Sequence, residues 1–405
     1  HAAFRAGLVV CPLSPLYKQN ELSYALKKAN VKALLLPGCE SKQSSINDFH
    51  GVFQKSELDE IKKNLKHLIL IDGNNSIPNF QGFEVHFFDK LLENDGNLSE
   101  EAKNSVTSDD PAALFFTSGT TGKPKGALIS HYHMSNNMKF ALAKGLSLNG
   151  PVSVPLPLFH AFAGIGASVY PIKHYRPIVL NNFWFNIKST VESIVKYNCV
   201  EFWGVPTMVF NLCEYIEATN TKIDSLQKIL MGGSPVYESL IKKVKRLIPS
   251  IKELSIAYGS TEFGSFVTQT GINDSEEIAL KTVGQVADHV SLKIVDPITK
   301  KIVKIGEQGE IWVKGYCRML GYYEDEEKTR EVIDQSGWYN MGDLGVLDEN
   351  GYLKIIGRTK EMIIRGGINL FPKEIEDVIN THPNVAEAYV CGVPSEKLGE
   401  EVCAW

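Results

Sequence analysis

The 405-residue sequence has no CxxC pair among its seven cysteines, no apolar run of membrane-spanning length, no excess of basic charge and no internal repeat. Each absence excludes something. Cys11, Cys39, Cys199, Cys213, Cys317, Cys391 and Cys403 are scattered, fitting neither a zinc-ligand spacing nor a disulfide framework. A reducing compartment is the simpler setting. A spanning helix needs about 18 consecutive apolar residues, so no transmembrane segment is expected. The formal net charge of −5 argues against nucleic acid as a dominant partner. The one dense basic run, Lys242 to Arg246, sits in a helical pattern and reads as a solvated helix face. His1 opens the chain inside a patterned segment and Trp405 closes it on a strand-like run. Both ends look cut, so the lack of a leader says nothing about location.

What is present is ordinary globular composition, 43% hydrophobic and 22% charged. A chain of this length should hold more than one domain. Helical and strand signals alternate. Asn20 can cap a helix carrying Leu22, Ala25, Leu26 and Ala29 on one face. The runs at Ala33 to Leu36, His67 to Ile71 and Ala112 to Phe116 read as strands, and a helix begins near Ser130. Ile187, Val191, Ile194 and Val195 mark another helix. Strand candidates beginning at Cys199, Leu226 and Glu253 follow, with a helix from Val236 to Leu247. The alternation predicts an α/β fold of helix-covered parallel sheets. After about Thr282, Ser291 to Val295 and Glu310 to Gly315 alternate with period two, as half-buried antiparallel strands do. Asp348 to Gly351 is a turn signal, so a β-rich subdomain is expected here. A helix from Pro372 and a strand over Val385 to Val390 come last. Gly73 to Asp110 is the weakest stretch for structure, and part of it reads as a long surface loop.

Between the strand ending at Phe116 and the helix near Ser130 stands TSGTTGKPKG, Thr117 to Gly126. The common nucleotide loop needs GxxxxGK followed by Ser or Thr. Here Pro124 follows Gly122 and Lys123, and Thr117 stands where the first glycine belongs, so both anchors fail. The chemistry is still that of an anion cradle. Glycines let backbone N–H groups approach phosphate oxygens, Ser118, Thr120 and Thr121 add hydroxyls, and Lys123 and Lys125 add charge.

This string resembles the AMP-binding signature of the acyl-adenylate-forming superfamily, which includes acyl-CoA synthetases, firefly luciferase and nonribosomal peptide adenylation domains. Tyr258 to Glu262 (YGSTE) resembles the second nucleotide motif. Trp338 to Asp343 (WYNMGD) resembles the third. Gly357 to Gly367 (GRTKEMIIRGG) resembles the hinge and the start of a mobile small domain. The four occur in family order with matching spacing, and the resemblance covers essentially the whole chain. Within the superfamily, His1 to Asn30 and Pro157 to His160 look most like acyl-CoA synthetases of the medium-chain family member 2 type.

The resemblance implies a large domain over 1–359 and the beginning of a small α+β C-terminal domain over 360–405. It implies ATP, Mg²⁺ and coenzyme A as cofactors and a small-molecule carboxylic acid, a fatty acid of medium to long chain, as substrate. It assigns the β- and γ-phosphates to Thr117, Ser118, Gly119, Thr120, Thr121, Gly122, Lys123, Pro124 and Lys125. Tyr258 stacks on adenine, Thr261 touches the α-phosphate and Glu262 binds Mg²⁺. Gly233, Ser234 and Pro235, in the turn after Gly232, line the adenine and acyl pocket; an ordinary Gly-Pro turn is the bland alternative. Asp343 accepts the ribose hydroxyls, two carboxylate oxygens suiting a vicinal diol. Arg358 serves ribose and phosphate, against the alternative of a buried ion pair. Lys360 is the hinge, and Gly366 and Gly367 approach the pantetheine arm. His160, with Phe159 and Phe162, gates the acyl tunnel, although a lone histidine among apolar residues is commonly a satisfied core residue. Trp203, Gly204, Val205 and Met208 supply an apolar acyl pocket with no array for an amino-acid ammonium, and such a stripe equally resembles core.

Two departures stand out. The family's Arg-Thr before Gly-Asp is here Asn340-Met341. The catalytic lysine expected late in the small domain would lie beyond Trp405, so the 405-residue chain by itself is expected to adenylate poorly. A mitochondrial location is implied by resemblance, with cytoplasm or peroxisome as alternatives. Competing functions are an adenylate former with another acceptor, a carrier-protein thiol or oxygen, and a non-catalytic nucleotide-binding fragment.

Overall fold

The computed structural model describes residues 1–37, 58–71, 82–93, 96, 105–117, 123–140, 143, 145–181, 185–365, 368–382, 384–385, 387–395 and 397–405. Two units separate. One comprises residues 1–131 and 320–326, the other residues 132–319 and 327–405.

The first unit holds a parallel sheet of Ala33–Pro37, His67–Ile71 and Glu84–Phe87, in that order. One face packs an apolar cluster in which Leu68 and Leu70 meet Leu22 and Leu26 of the helix Gln19–Lys28 and Ile61 of the helix Leu58–Asn64. Each fully buried aliphatic side chain contributes roughly 1.5–3 kcal/mol. The first helix starts one residue before Asn20. The Glu21 carboxylate reaches back 2.8 Å to accept the Lys18 backbone N–H, so the cap lies at Lys18. Strand Glu84–Phe87 and helix Phe88–Leu92 fall inside the stretch expected to be loop-rich.

The strand Pro111–Thr117 is followed by a second strand, Lys125–Ser130, that the sequence pattern did not reveal. The two pair antiparallel with Thr117 opposite Lys125, and Gly321–Tyr322 extends the sheet. Of TSGTTGKPKG, Thr117 ends the first strand and Lys125 and Gly126 open the second, and the helix His131–Phe140 begins only after that second strand.

In the second unit a seven-stranded sheet runs in the order Gln285–Val286, Thr268–Gln269, Glu253–Tyr258, Lys228–Gly232, Glu201–Gly204, Val152–Ser153, Ile178–Val179. The last five are mutually parallel and the first two antiparallel. Helices Ile187–Lys196, Pro206–Thr219 and Glu238–Leu247 connect the parallel strands, as the alternation predicts. Asn186 caps the first, its side chain accepting the Ser189 N–H at 3.0 Å. Pro206 opens the second, where a missing N–H costs nothing. Phe202, Ile229 and Met231 from the strands meet Val209, Leu212, Ile216 and Val244 from the helices in one buried core. The basic run lies on the third helix, and its charges pair with acids. Lys243 and Arg246 reach Glu217, Lys245 reaches Glu276 and Lys242 reaches Glu238.

The expected β-rich region is a four-stranded antiparallel sheet, Val290–Val295, Gln308–Gly315, Tyr339–Leu347 and Leu353–Arg358. Last comes a sheet in the order Ile368–Leu370, Ile363–Arg365, Gly399–Ala404, Val390–Ser395, with helix Pro372–Ile379. The strand expected from Val385 starts regular pairing only at Val390, opposite Ala404. Alternation alone does not tell where a ladder partner exists.

Candidate active site

Three parallel strands end side by side. Gly204 pairs with Met231, and Gly232 with Ala257, so the turn at Gly233 to Pro235 and the motif starting at Tyr258 leave adjacent carboxyl ends of the sheet. That edge is where open α/β sheets bind ligands. Gly233 takes φ +88°, a left-handed conformation that favours glycine, and Gly233, Ser234 and Pro235 are exposed.

Tyr258 is followed by a tight reversal. A Cβ on Gly259 would lie 2.5 Å from the Ser265 carbonyl oxygen, so only glycine lets these two backbone segments approach. The reversal seats Thr261–Phe263 in a short 3₁₀ turn. Thr261 is half-buried and Glu262 is buried at 9% exposure. The Met319 N–H donates to the Glu262 carbonyl at 2.7 Å, fixing the backbone while the carboxylate remains a hard oxygen donor.

Asp343 joins this motif to the antiparallel sheet. The Tyr258 hydroxyl donates to Asp343 Oδ2 at 2.6 Å. Arg358, its cross-strand partner, places Nε 3.6 Å from Oδ1. Burial pushes the Asp343 carboxyl above its ordinary range, opposed by the Tyr258 hydrogen bond and the Arg358 charge, and the Glu361 and Glu262 charges add to the rise. Burial, reinforced by the Asp343 charge, likewise holds the Tyr258 phenol well above its usual value, so it donates rather than ionises. Asn340 and Met341 do not disturb this geometry. Asn340 Oδ1 accepts the Gly342 N–H at 2.9 Å, and Met341 is buried. Arg358 is 59% exposed, so its alternative as a buried ion pair fails.

Lys360 is exposed in the turn Thr359–Glu361 that follows the strand Leu353–Arg358. His160 is exposed at the start of helix Ala161–His174, its ring centroid 4.4 Å from that of Phe159, so it is not a satisfied core histidine. Phe162 stacks on Trp203 with centroids 6.2 Å apart and meets Phe266 edge-on at 5.4 Å. Trp203 is wholly buried. Gly166 presses against it, since a Cβ there would lie 2.6 Å from the indole ring.

In the other unit Thr117 and Lys125 face each other across the hairpin. Lys123 is exposed with its ammonium 5.4 Å from the Tyr24 ring centroid, and the Tyr24 hydroxyl donates to the Pro124 carbonyl at 2.9 Å. Lys125 Nζ lies 4.2 Å from the Tyr322 ring centroid and 3.2 Å from its hydroxyl. Ser118, Gly119, Thr120, Thr121, Gly122, Gly366 and Gly367 lie outside the described residues.

Sequence reasoning missed the buried charges beneath the sheet edge. Arg176 bonds Glu201 at 2.7 Å, Lys228 lies 3.2 Å from Glu253 and 4.0 Å from Glu201, and Trp203 Nε1 donates to Glu201 at 2.8 Å. All four charges are buried, so each depends on the others for solvation. The available signal was a charged residue inside each apolar strand run, Glu201 in CVEFW and Glu253 in ELSIA.

Residues 1–323 match the family described as AMP-binding enzyme, and residues 374–405 match the AMP-binding enzyme C-terminal domain. The chain is 33% identical over 424 residues to the medium-chain acyl-CoA ligase ACSF2, mitochondrial, of Danio rerio, covering 100% of this chain and 68% of that protein. It is 33% identical over 421 residues to the putative acyl-CoA synthetase YngI of Bacillus subtilis (strain 168), covering 100% and 74%. Among solved structures it is similar to ATP-bound MatB from Rhodopseudomonas palustris, with TM-score 0.79 and 27% identity over 100% of this chain and 74% of that one.

Proposed function

This chain belongs to the AMP-binding enzyme family of adenylate-forming acyl-CoA ligases, and from that premise we propose that it activates a fatty acid of medium to long chain with ATP and passes the acyl group to coenzyme A. The observation that carries the reading is the Tyr258–Asp343–Arg358 cluster beside buried Glu262 at the carboxyl edge of a parallel sheet.

A carboxylate is a poor electrophile, because its charge is delocalised and oxide is a hopeless leaving group. Its oxygen attacks the α-phosphorus of ATP, the α–β bridge breaks and pyrophosphate departs, leaving an acyl-AMP. A thiol then attacks the acyl carbon and AMP leaves. Both steps depend on positioning and charge neutralisation. Asp343 accepts the ribose hydroxyls, Tyr258 packs against the adenine and Arg358 faces the ribose and phosphate. Thr261 donates to the α-phosphate, and the loop from Thr117 to Lys125 holds the outer phosphates. A buried carboxylate is a hard oxygen donor of the kind Mg²⁺ prefers, so Glu262 would be the residue to hold it. When bound, that ion neutralises phosphate charge. Trp203, Gly204, Val205 and Met208 supply the apolar acyl end, with His160, flanked by Phe159 and Phe162, as its gate. Lys360 is the hinge between domains over 1–359 and 360–405, and Gly366 and Gly367 contact the pantetheine arm of coenzyme A.

The test uses the protein carrying this chain with ATP, Mg²⁺ and straight-chain acids of graded length, with and without coenzyme A. Pyrophosphate release should require the acid, and thioester should require coenzyme A. Release that ignores the acid, or a preference for amino acids, overturns the reading. Mitochondrial placement, which the name of the Danio rerio relative carries, is part of the same proposal. Imaging a fluorescent fusion of the natural protein checks it.

A further inference from the structure

The parallel sheet of the first unit carries an arrangement that nucleotide chemistry does not use. His67 pairs with Glu84 and Ile69 with His86 in adjacent strands. Leu68, Leu70, Val85 and Phe87 point into the apolar cluster, so His67, Glu84 and His86 share the opposite face. His67 Nδ1 lies 3.2 Å from His86 Nε2 and 3.2 Å from Glu84 Oε2, and the last two atoms are 4.0 Å apart. A point equidistant from all three lies about 2 Å from each, the length of a zinc–imidazole or zinc–carboxylate bond.

Protons alone serve this triangle badly. A neutral imidazole has one N–H, and His67 Nδ1 faces both a ring nitrogen and a carboxylate oxygen. A cation at the centre satisfies all three lone pairs together. The backbone holds the strands in place, since the His67 N–H donates to the Lys32 carbonyl at 3.2 Å and the Glu84 N–H to the Lys66 carbonyl at 2.9 Å. Both histidines are half-buried and Glu84 is exposed, leaving an open side for entry and for water ligands. Two imidazoles and a carboxylate suit Zn²⁺, Ni²⁺ or Cu²⁺, whereas Mg²⁺ and Ca²⁺ prefer oxygen throughout.

We propose that His67, Glu84 and His86 form a binding site for a late first-row divalent transition ion. The experiment uses chelator-stripped, thiol-alkylated protein without a polyhistidine tag, titrated calorimetrically with Zn²⁺, Ni²⁺ and Cu²⁺, with Mg²⁺ as control. One equivalent of each transition ion should bind and Mg²⁺ should not compete. His67→Gln and His86→Gln should each weaken binding at least about tenfold, because the remaining ligands no longer enclose the ion. Saturable binding that survives in the double variant, or no binding to the parent, overturns the proposal. Should a histidine variant misfold by circular dichroism, Glu84→Gln and the Cu²⁺ spin-resonance spectrum of the parent decide. Hyperfine coupling to two imidazole nitrogens supports the site, and coupling to none refutes it.

Discussion

Replacing Asp343 with asparagine separates a ligand-binding role from a structural one. The carboxylate is 17% exposed, with one oxygen taking the Tyr258 hydroxyl and the other facing Arg358. Its folded-state pKa is raised, and burial is the largest cause. For an acid, a raised value means that the folded state favours the protonated form. Stability therefore falls as pH rises through the window between the unfolded and folded pKa, and at neutral pH the ionised group is a net liability. Asparagine removes that liability, keeps the shape and still offers Oδ1 to the Tyr258 hydroxyl. Arg358, more exposed than its partner, can turn to water. Asp343→Asn should melt at or above the parent temperature.

Nucleotide affinity should move the other way. A hydrogen bond to an ionised group contributes about 1.5–3 kcal/mol, so losing its charged character weakens ATP binding by about ten- to a hundredfold. Calorimetric titration with ATP and with 2′- and 3′-deoxy-ATP checks this. The parent should discriminate against both deoxy analogues, and the variant should lose most of that discrimination. An affinity within about twofold of the parent, or a variant that still prefers the full ribose, refutes the assignment. A clear drop in melting temperature would show that the carboxylate stabilises the fold instead.

Three further outcomes follow from the same geometry. Glu262→Gln keeps size and burial but removes the charge, so ATP affinity measured in chelator should hold while the gain on adding Mg²⁺ disappears. Gly259→Ala places a methyl against the Ser265 carbonyl, and chemical denaturation should register a loss of about 1–3 kcal/mol together with weaker nucleotide binding. His133 is fully buried, and burial pushes its pKa down to about 3. The unfolded chain therefore takes up a proton that the folded chain refuses, stability is lost as pH falls below about 6.5, and the loss reaches about 2 kcal/mol near pH 5. Urea denaturation across that range should give a shallower pH slope for His133→Gln.

Much of the architecture was legible because periodicity reports burial. The runs at His67, Glu201 and Glu253 become strands, the stretch from Val236 becomes a helix, and period-two alternation after Thr282 becomes an antiparallel sheet. The misses have a common cause. Lys125–Ser130 hid behind its lysine and glycine, which signal a loop, and only its partner at Pro111–Thr117 makes it a strand. Lys18 outcompetes Asn20 as a cap because Glu21 reaches back to it. In each case a residue elsewhere decides.

The candidate site divides along the same line. Which residue types can hold a phosphate or a diol is a matter of local chemistry, so TSGTTGKPKG and YGSTE announce themselves. What disposes those groups is non-local. Asp343 stands 85 residues from Tyr258, and a cross-strand pairing with Arg358 aims it. The Arg176–Glu201–Lys228–Glu253 set lies beneath, and removing one member would leave its buried neighbours without a partner. His67 and His86 show the principle at its plainest. Nineteen residues apart, they have no motif to betray them, and a one-residue slip in register would carry one ring to the opposite face of the sheet. Chemistry written in a register rather than in a string is invisible until the strands are paired, and such places are where a described fold still holds unassigned function.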